Sequence, residues 1–408
     1  MTSVEDIRTT IEQALPETLL FLRDLVQINS FTRNPAGVDA NAARIIRQFE
    51  PLGFRAFQFP CRENGTGSHL LLDSGGDGPA IAAISHLDTV YPEEEERRHE
   101  FFWQEEGSRI YGPGTYDIKG GTALLWLMLR SLALRDPVVF SKARWMLFWN
   151  AAEECFAPDF PVLCREKLPA STKCCLVFEG DNNSAGGFSL IRSRKGRGEF
   201  RLKVEGRGAH AGNRHHEGAN AIRQLARIVE NLESKTDYQA ELTVNVGYFN
   251  GGLVANRVPH EAEALLEIRS YDQEVYADVR GQIVGLSDSG NVTAASDGFR
   301  CNVMATVESE VPPWPVNPAT EQLVGIWEQA AMHCGLAIDA GRRGGVGDAN
   351  GLWKDFPTLD GLGPRGGNPH SSERSTDGTK IPEFVDATSI VPKALINCLA
   401  IREILSHP

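Results

Sequence analysis

Val4, Ile7, Ile11 and Leu15 recur at intervals of three and four along a polar N-terminus. That spacing puts one face of a helix against a core. The same period predicts helices over 4–28 and 40–49. Short apolar runs follow at 69–72, 80–84, 145–149 and 175–178, with a helical run at 119–134 between the second and third. Runs of Ile, Val, Leu and Phe without polar alternation suit strands covered on both faces. The prediction is an α/β unit, a mostly parallel sheet flanked by helices, which binds ligands at the carboxyl ends of its strands.

Near residue 188 the pattern changes. Residues 190–204 alternate, as in an antiparallel strand with one wet face,. A Gly/His-rich turn at 206–212 leads to a helix at 219–232, strands at 242–249 and 262–270, a helix at 272–286 and a strand near 300. That β-α-β-β-α-β order predicts a separate ferredoxin-like α+β domain. α/β texture then returns, with a helix at 318–334, a glycine-rich loop at 341–347, a strand at 358–362 and a last helix at 381–405. The expected domains are 1–188 with 303–408, interrupted by an inserted 189–302. The acidic run 93–96 reads as a solvated loop.

Composition narrows the function. The 408 residues carry 41 Lys and Arg against 54 Asp and Glu, a net charge of −13. Such a chain repels phosphate backbones and anionic lipid, so neither nucleic acid nor a membrane surface is the expected partner. The longest apolar stretch, 123–129, falls far short of the ~20 residues that span a bilayer. The N-terminus lacks the basic start and apolar core of an export signal. Eight cysteines are too few for a disulfide scaffold and suit reduced thiols in a cytoplasm,.

Candidate chemistry gathers at strand exits. His86, in Ser-His-Leu-Asp-Thr-Val, directly follows an apolar run, and Asp88 lies two residues on, on the same side of an extended chain,. A carboxylate beside an imidazole commonly orients a metal-bound histidine. The loop from Gly112 to Gly121 carries Asp117 into a helix start, where the helix dipole favours an anion. A phosphate would meet that carboxylate, so a nucleotide-binding loop is a poor reading. Glu153 and Glu154 follow the run 145–149 and point opposite ways if extended, so one can bind metal while the other faces water. Glu179 ends another apolar run, and His370 sits in a loop before the last helix. Each of these residues alone has an ordinary loop reading. Together they form a carboxylate and imidazole donor set suited to zinc, and also to cobalt or manganese. Such a set can hold two cations ~3.5–4 Å apart.

The motifs SHLDTV, GPGTYDIKGG, the paired glutamates, FEG and GLGPRGGNPHSSE resemble the M20 family of metallopeptidases, with GRGAHAG, NRVP and GGVGDAN in family order between them. The family includes glutamate carboxypeptidases, aminoacylases and deacylases of acetylornithine and succinyl-diaminopimelate. The resemblance implies a dizinc peptidase-like catalytic domain and an inserted lid and dimerisation domain, hence a homodimer. It also implies that Asp117 bridges two metals, that His86 and Glu179 complete one site, and that Glu154 and His370 complete the other. Glu153 matches the general base and Asp88 the carboxylate behind a ligand. His210 matches a histidine that steadies the oxyanion in the neighbouring subunit's site. Asn256 and Arg269 match residues near the substrate's carboxylate and carbonyl, and Gly345, in GGVGDAN, is placed with them.

There are departures from the family pattern. Ala152 precedes the glutamate pair and Cys155-Phe156-Ala157-Pro158 follows it, where Asp and Gly-Ser are usual, so the wall behind the base differs. Arg365 stands where a small apolar residue is common and could recognise an acidic substrate. The expected reaction is two-metal hydrolysis of the amide bond of an N-acyl amino acid or short peptide, with C-terminal glutamate modestly favoured. Alternatives are a deacylase of a biosynthetic intermediate, another two-metal hydrolase such as a phosphoesterase, and a non-catalytic binder retaining the fold.

Overall fold

The computed structural model describes residues 3–181 and 187–406. The chain divides into two compact units, one of Met1–Arg192, Val316–Arg342 and Gly347–Pro408, the other of Ser193–Pro315 and Arg343–Val346. The boundaries expected after 188 and 302 fall inside the strands Phe188–Arg194 and Asn302–Val311, where a cut would break hydrogen-bonded ladders.

The first unit is built on a six-stranded sheet in the order Arg55–Pro60, Ser68–Asp73, Arg144–Asn150, Ala80–His86, Cys174–Val177, Thr358–Leu359. The first two pairings are antiparallel and the last three parallel. Its central strands are buried along nearly their whole length, as their unbroken apolar runs require,. Register matters for the site. His86 lies opposite Asn150, and Ile84 opposite Val177, so three chain segments leave the sheet at one level.

Helix Lys119–Arg135 is buried on almost every side, with Val4–Val26 and Ile390–Ser406 packed against it,. Val4–Val26 begins with a reciprocal cap: Asp6 N–H donates to Ser3 Oγ at 3.1 Å, and Ser3 N–H to Asp6 Oδ2 at 3.1 Å,. The second helix starts earlier than expected, at Pro35, because Asn34 accepts from Gly37 N–H and proline is pre-set for a first turn,.

Two expectations fail at the last helix and the acidic run. The last helix begins at Ile390, not 381, because Phe384–Asp386 forms a strand paired with Arg109–Tyr111. That pairing belongs to a small sheet ordered Gly366–Gly367, Phe384–Asp386, Arg109–Tyr111, Gln104–Glu106. The acidic run is no loop either. Glu93–Arg98 is a helix whose first turn places acids at the favourable end of its dipole, and Glu96 is buried,.

The second unit has its own core. Its sheet runs Thr243–Gly251, Glu261–Ser270, Gly196–Glu205, Asn302–Val311, antiparallel throughout. Helices Ala221–Glu233 and Gln273–Val284 cover one face, which is the ferredoxin-like order the sequence predicts,. The single strand expected over 190–204 is two, Phe188–Arg194 and Gly196–Glu205, which join different sheets. Alternation runs through the break because each piece has one buried face.

Candidate metal centre

His86, Asp117, Glu153, Glu154, Glu179 and His370 all belong to the first unit. His86 is the last residue of its strand and is buried. Its Nδ1 lies 3.0 Å from the Asp88 carbonyl oxygen, a partner that accepts only. A proton on Nδ1 leaves the Nε2 lone pair facing Asp117 Oδ1 at 3.0 Å and Glu179 Oε1 at 3.7 Å,. Asp117 turns its other oxygen, Oδ2, to His370 Nε2 at 3.4 Å, and that nitrogen lies 3.3 Å from Glu154 Oε2. Two donor groups result, His86–Asp117–Glu179 and Asp117–Glu154–His370, each with ligand atoms within 4.8 Å of one another. Asp117 is common to both. One carboxylate facing two clusters with different oxygens is the arrangement a bridging ligand needs.

Local structure explains the convergence. The loop to Asp117 turns through Gly114 at φ +75°, a left-handed conformation that glycine adopts without strain,. Helix Lys119–Arg135 then comes so close to the exit of strand Cys174–Val177 that a Cβ at Gly121 would lie 1.9 Å from the Phe178 carbonyl oxygen. His370 is itself left-handed, at φ +61°, and its side chain is 55% exposed. Glu153–Cys155 is a short 3-10 turn and not an extended segment, so the opposite-facing arrangement expected for the two glutamates does not apply. Asp88 holds them instead. Its Oδ1 accepts from Glu153 N–H at 3.1 Å, and its Oδ2 from Glu154 N–H at 3.3 Å and Thr32 Oγ1 at 2.7 Å.

The electrostatics are those of an anionic pocket. Burial pushes Glu153 well above the usual carboxylate range, and Glu154, Asp348 and Glu179 add to that against His86. Burial, then Asp117, raise Glu154 to about 7. Burial would raise Asp117 too, but hydrogen bonds from His370 and His86 hold it well below its ordinary value. Asp117 and Glu154 raise His370 to about 11. Carboxylates of Asp88, Asp117, Glu153, Glu154 and Glu179 thus face the imidazoles of His86 and His370. Divalent cations relieve such crowding, and oxygen and imidazole donors without thiolate suit zinc, cobalt or manganese.

Sequence reasoning missed several neighbours. Thr32 is one. Asn150 is another: its Nδ2 donates to Asp348 Oδ1 at 2.8 Å while its Oδ1 accepts from Ala152 N–H at 3.0 Å, bracing the turn that carries Glu153. Its place beside the glutamate pair was the available signal. Glu383, buried behind Asp117, had none.

The substrate candidates fare differently. Arg365 does not offer a free guanidinium. Its Nε and Nη2 lie 3.2 and 2.7 Å from Asp386 Oδ2, and its Nη1 donates to the Gly187 carbonyl at 3.2 Å. The sequence could not reveal that partner. The other candidates lie in the second unit. His210 is exposed, and its Nδ1 accepts from Gly212 and Asn213 N–H at 3.2 and 3.1 Å. Asn256 is exposed and accepts on its carbonyl from Ala211 N–H. Arg269 is paired with Glu267, at 2.6 Å from Nε, and its Nη1 donates to the Gly344 carbonyl at 3.1 Å. Gly345 is exposed, and its carbonyl accepts from Arg194 Nη1 at 3.2 Å.

A third donor group, Cys61, His69 and Asp159, lies elsewhere in the first unit. Ala151 N–H donates to His69 Nδ1 at 3.1 Å, which leaves the neutral ring's proton on Nε2, facing Asp159 Oδ2 at 3.4 Å. That nitrogen then has no lone pair for a metal, so this cluster is a brace.

Residues 192–293 match the M20 peptidase dimerisation domain. Carboxypeptidase G2 of Pseudomonas sp. (strain RS-16) is 25% identical over 255 residues, covering 62% of this chain and 60% of that protein's length. Acetylornithine deacetylase of Edwardsiella ictaluri is 25% identical over 348 residues, covering 78% of this chain and 85% of the relative. These matches make the chain similar to M20 peptidases. The fold agrees: the Bacillus subtilis YXEP protein, described as a dinuclear metal-binding peptidase from the M20 family, superposes with a TM-score of 0.66 at 14% identity, covering 97% of this chain and all of that one. The proteins it resembles are named a carboxypeptidase, a deacetylase and a dinuclear metal-binding peptidase. Among the described residues no helix is long and apolar enough to cross a membrane.

Proposed function

We propose that this chain is an M20-type metallohydrolase that cleaves the amide bond of an N-acyl amino acid or short peptide and releases a free amino acid, C-terminal glutamate being modestly favoured. The observation that carries the reading is Asp117, whose two oxygens face two imidazole-containing clusters beside Glu153. In this reading His86, Asp117 and Glu179 hold one cation, and Asp117, Glu154 and His370 the other, zinc being the preferred metal. Bound cations would supply Lewis acidity toward the scissile carbonyl and make an attacking water more acidic.

The chain's own residues do the rest. Glu153, with a proton affinity raised by burial, takes the water's proton and returns it to the departing amine,. Asp88 keeps base and ligand in step by accepting from both backbone amides. His210 of the partner subunit steadies the oxyanion, which requires the homodimer that a dimerisation domain serves,. Asn256 and Gly345 are assigned to substrate contact in the same reading. It makes Arg269, or else Arg257, the partner for the substrate's α-carboxylate. All eight cysteines are free thiols, which suits a cytoplasmic enzyme,.

The deciding experiment incubates zinc-loaded protein with a panel of N-acyl amino acids and peptides ending in glutamate, with ninhydrin detection of freed amine. Release from some members, lost in Glu153→Ala, is expected. No release from any member, or an active Glu153→Ala protein, would overturn the reading. The extended match to acetylornithine deacetylase favours a second reading, deacylation of an N-acetyl biosynthetic intermediate, and N-acetyl members of the panel test it directly.

A further inference from the structure

Glu383 is fully buried, 266 residues along the chain from Asp117. Its Oε1 accepts two backbone amides, Tyr116 N–H at 2.8 Å and Asp117 N–H at 2.9 Å, and its Oε2 accepts from Tyr91 Oη at 2.7 Å. Its own N–H donates to the Ser371 carbonyl at 2.8 Å, one residue beyond His370. The next residue, Phe384, lies opposite both Tyr111, which leads into the Asp117 loop, and Gly367, which leads into the His370 loop. The side chain of Glu383 therefore grips one proposed ligand, and its main chain grips the residue next to another.

We infer that Glu383 is a positioning residue for the second cation, holding Asp117 and His370 at the separation that cation requires. This rests on the two-metal reading above. The two clusters do not depend on it equally. His86 ends a regular strand and is oriented by Asp88, and Glu179 follows the strand Cys174–Val177. His370 is half-exposed and left-handed, in the loop that follows the two-residue strand Gly366–Gly367, and Asp117 enters its cluster through the oxygen turned away from His86. Removing the grip slackens the second cluster first. Burying a carboxylate is costly, and here it provides three hydrogen bonds at once that a shorter or apolar side chain cannot.

Two substitutions separate reach from charge. Glu383→Gln keeps a carbonyl oxygen able to accept both amides and loses the charge. Glu383→Asp keeps the charge and withdraws the oxygens by one methylene. Calorimetric zinc titration of the full chain, with stoichiometry checked by elemental analysis, should show two cations per wild-type chain. Glu383→Asp should weaken the second cation about 10- to 100-fold, as removal of a residue supporting a ligand commonly does, and leave the first within about threefold. Glu383→Gln should keep both within about threefold. The inference falls if Asp binds the second cation like wild type, if Gln is as impaired as Asp, or if both cations weaken together. A wild-type chain that binds fewer than two cations overturns the two-metal reading instead.

Discussion

The two units treat charge in opposite ways. In the second unit guanidinium and carboxylate cancel locally. Arg197 sits between Glu199 and Glu267, Arg201 between Glu263 and Glu308, and Arg207 forks onto Asp297. Those basic residues come largely from the long alternating strand, and their partners show them to be a half-wet sheet face. At the strand exits of the first unit carboxylates converge on two imidazoles: burial raises the proton affinities of Glu153 and Glu154, while hydrogen bonds from His370 and His86 hold Asp117 down. A local pair leaves no demand for a ligand. A convergence of like charges does, and that separates a surface from a site.

The sharpest way to break the comparison is to remove the cations. Chelation should abolish amide hydrolysis and lower the melting temperature by several degrees, both restored by zinc, since a ligand at about 1,000 times its Kd adds ~4 kcal/mol to stability. Calorimetric melting with and without chelator checks this, and unchanged activity would mean the carboxylates converge for another reason. Next comes Glu153→Ala, expected to cost about 10³-fold in kcat while both cations stay bound.

A third test concerns a pair in the first unit that is neutralised and buried, Asp181 with Lys393 at 2.8 Å. Burial raises Asp181, but the Lys393 ammonium together with the hydrogen bonds from Lys393 and Ser189 outweighs it and holds the carboxyl below its ordinary value. A depressed carboxyl contributes stability above its unfolded pKa of about 3.9 and loses it as pH falls through the folded value. Asp181→Ala should cost about 3–5 kcal/mol at neutral pH, less in acid, with zinc stoichiometry unchanged. Urea melts at pH 7 and pH 3 would show it. The smallest effect belongs to the second unit: Arg201→Ala should change stability by at most ~1 kcal/mol, falling with added salt, and leave turnover alone. A large loss of turnover there would blur the contrast between the units.

Much of this was legible in the sequence because the chemistry follows apolar strands, and a strand's end can be read from where its pattern stops. His86, Glu153, Glu154 and Glu179 all follow that rule. Residues whose role lies in a distant partner escape it. Arg365 looked available until Asp386 accounted for it, and Glu96 looked solvated although it is buried near the Lys119 charge. The start of the last helix was misplaced because Phe384–Asp386 forms its strand with residues some 275 positions earlier. Glu383 acts through backbone amides, which every residue has, so no motif announces it.

Gly121 carries a final consequence. The helix behind Asp117 and the strand exit leading to Glu179 touch where a methyl group would collide with the Phe178 carbonyl. The gauge between the two carboxylates is thus set by a missing carbon. Enlarging that residue would prise Asp117 away from Glu179 without altering either side chain, so a chain with every carboxylate and imidazole of the cluster in place would still lose their convergence.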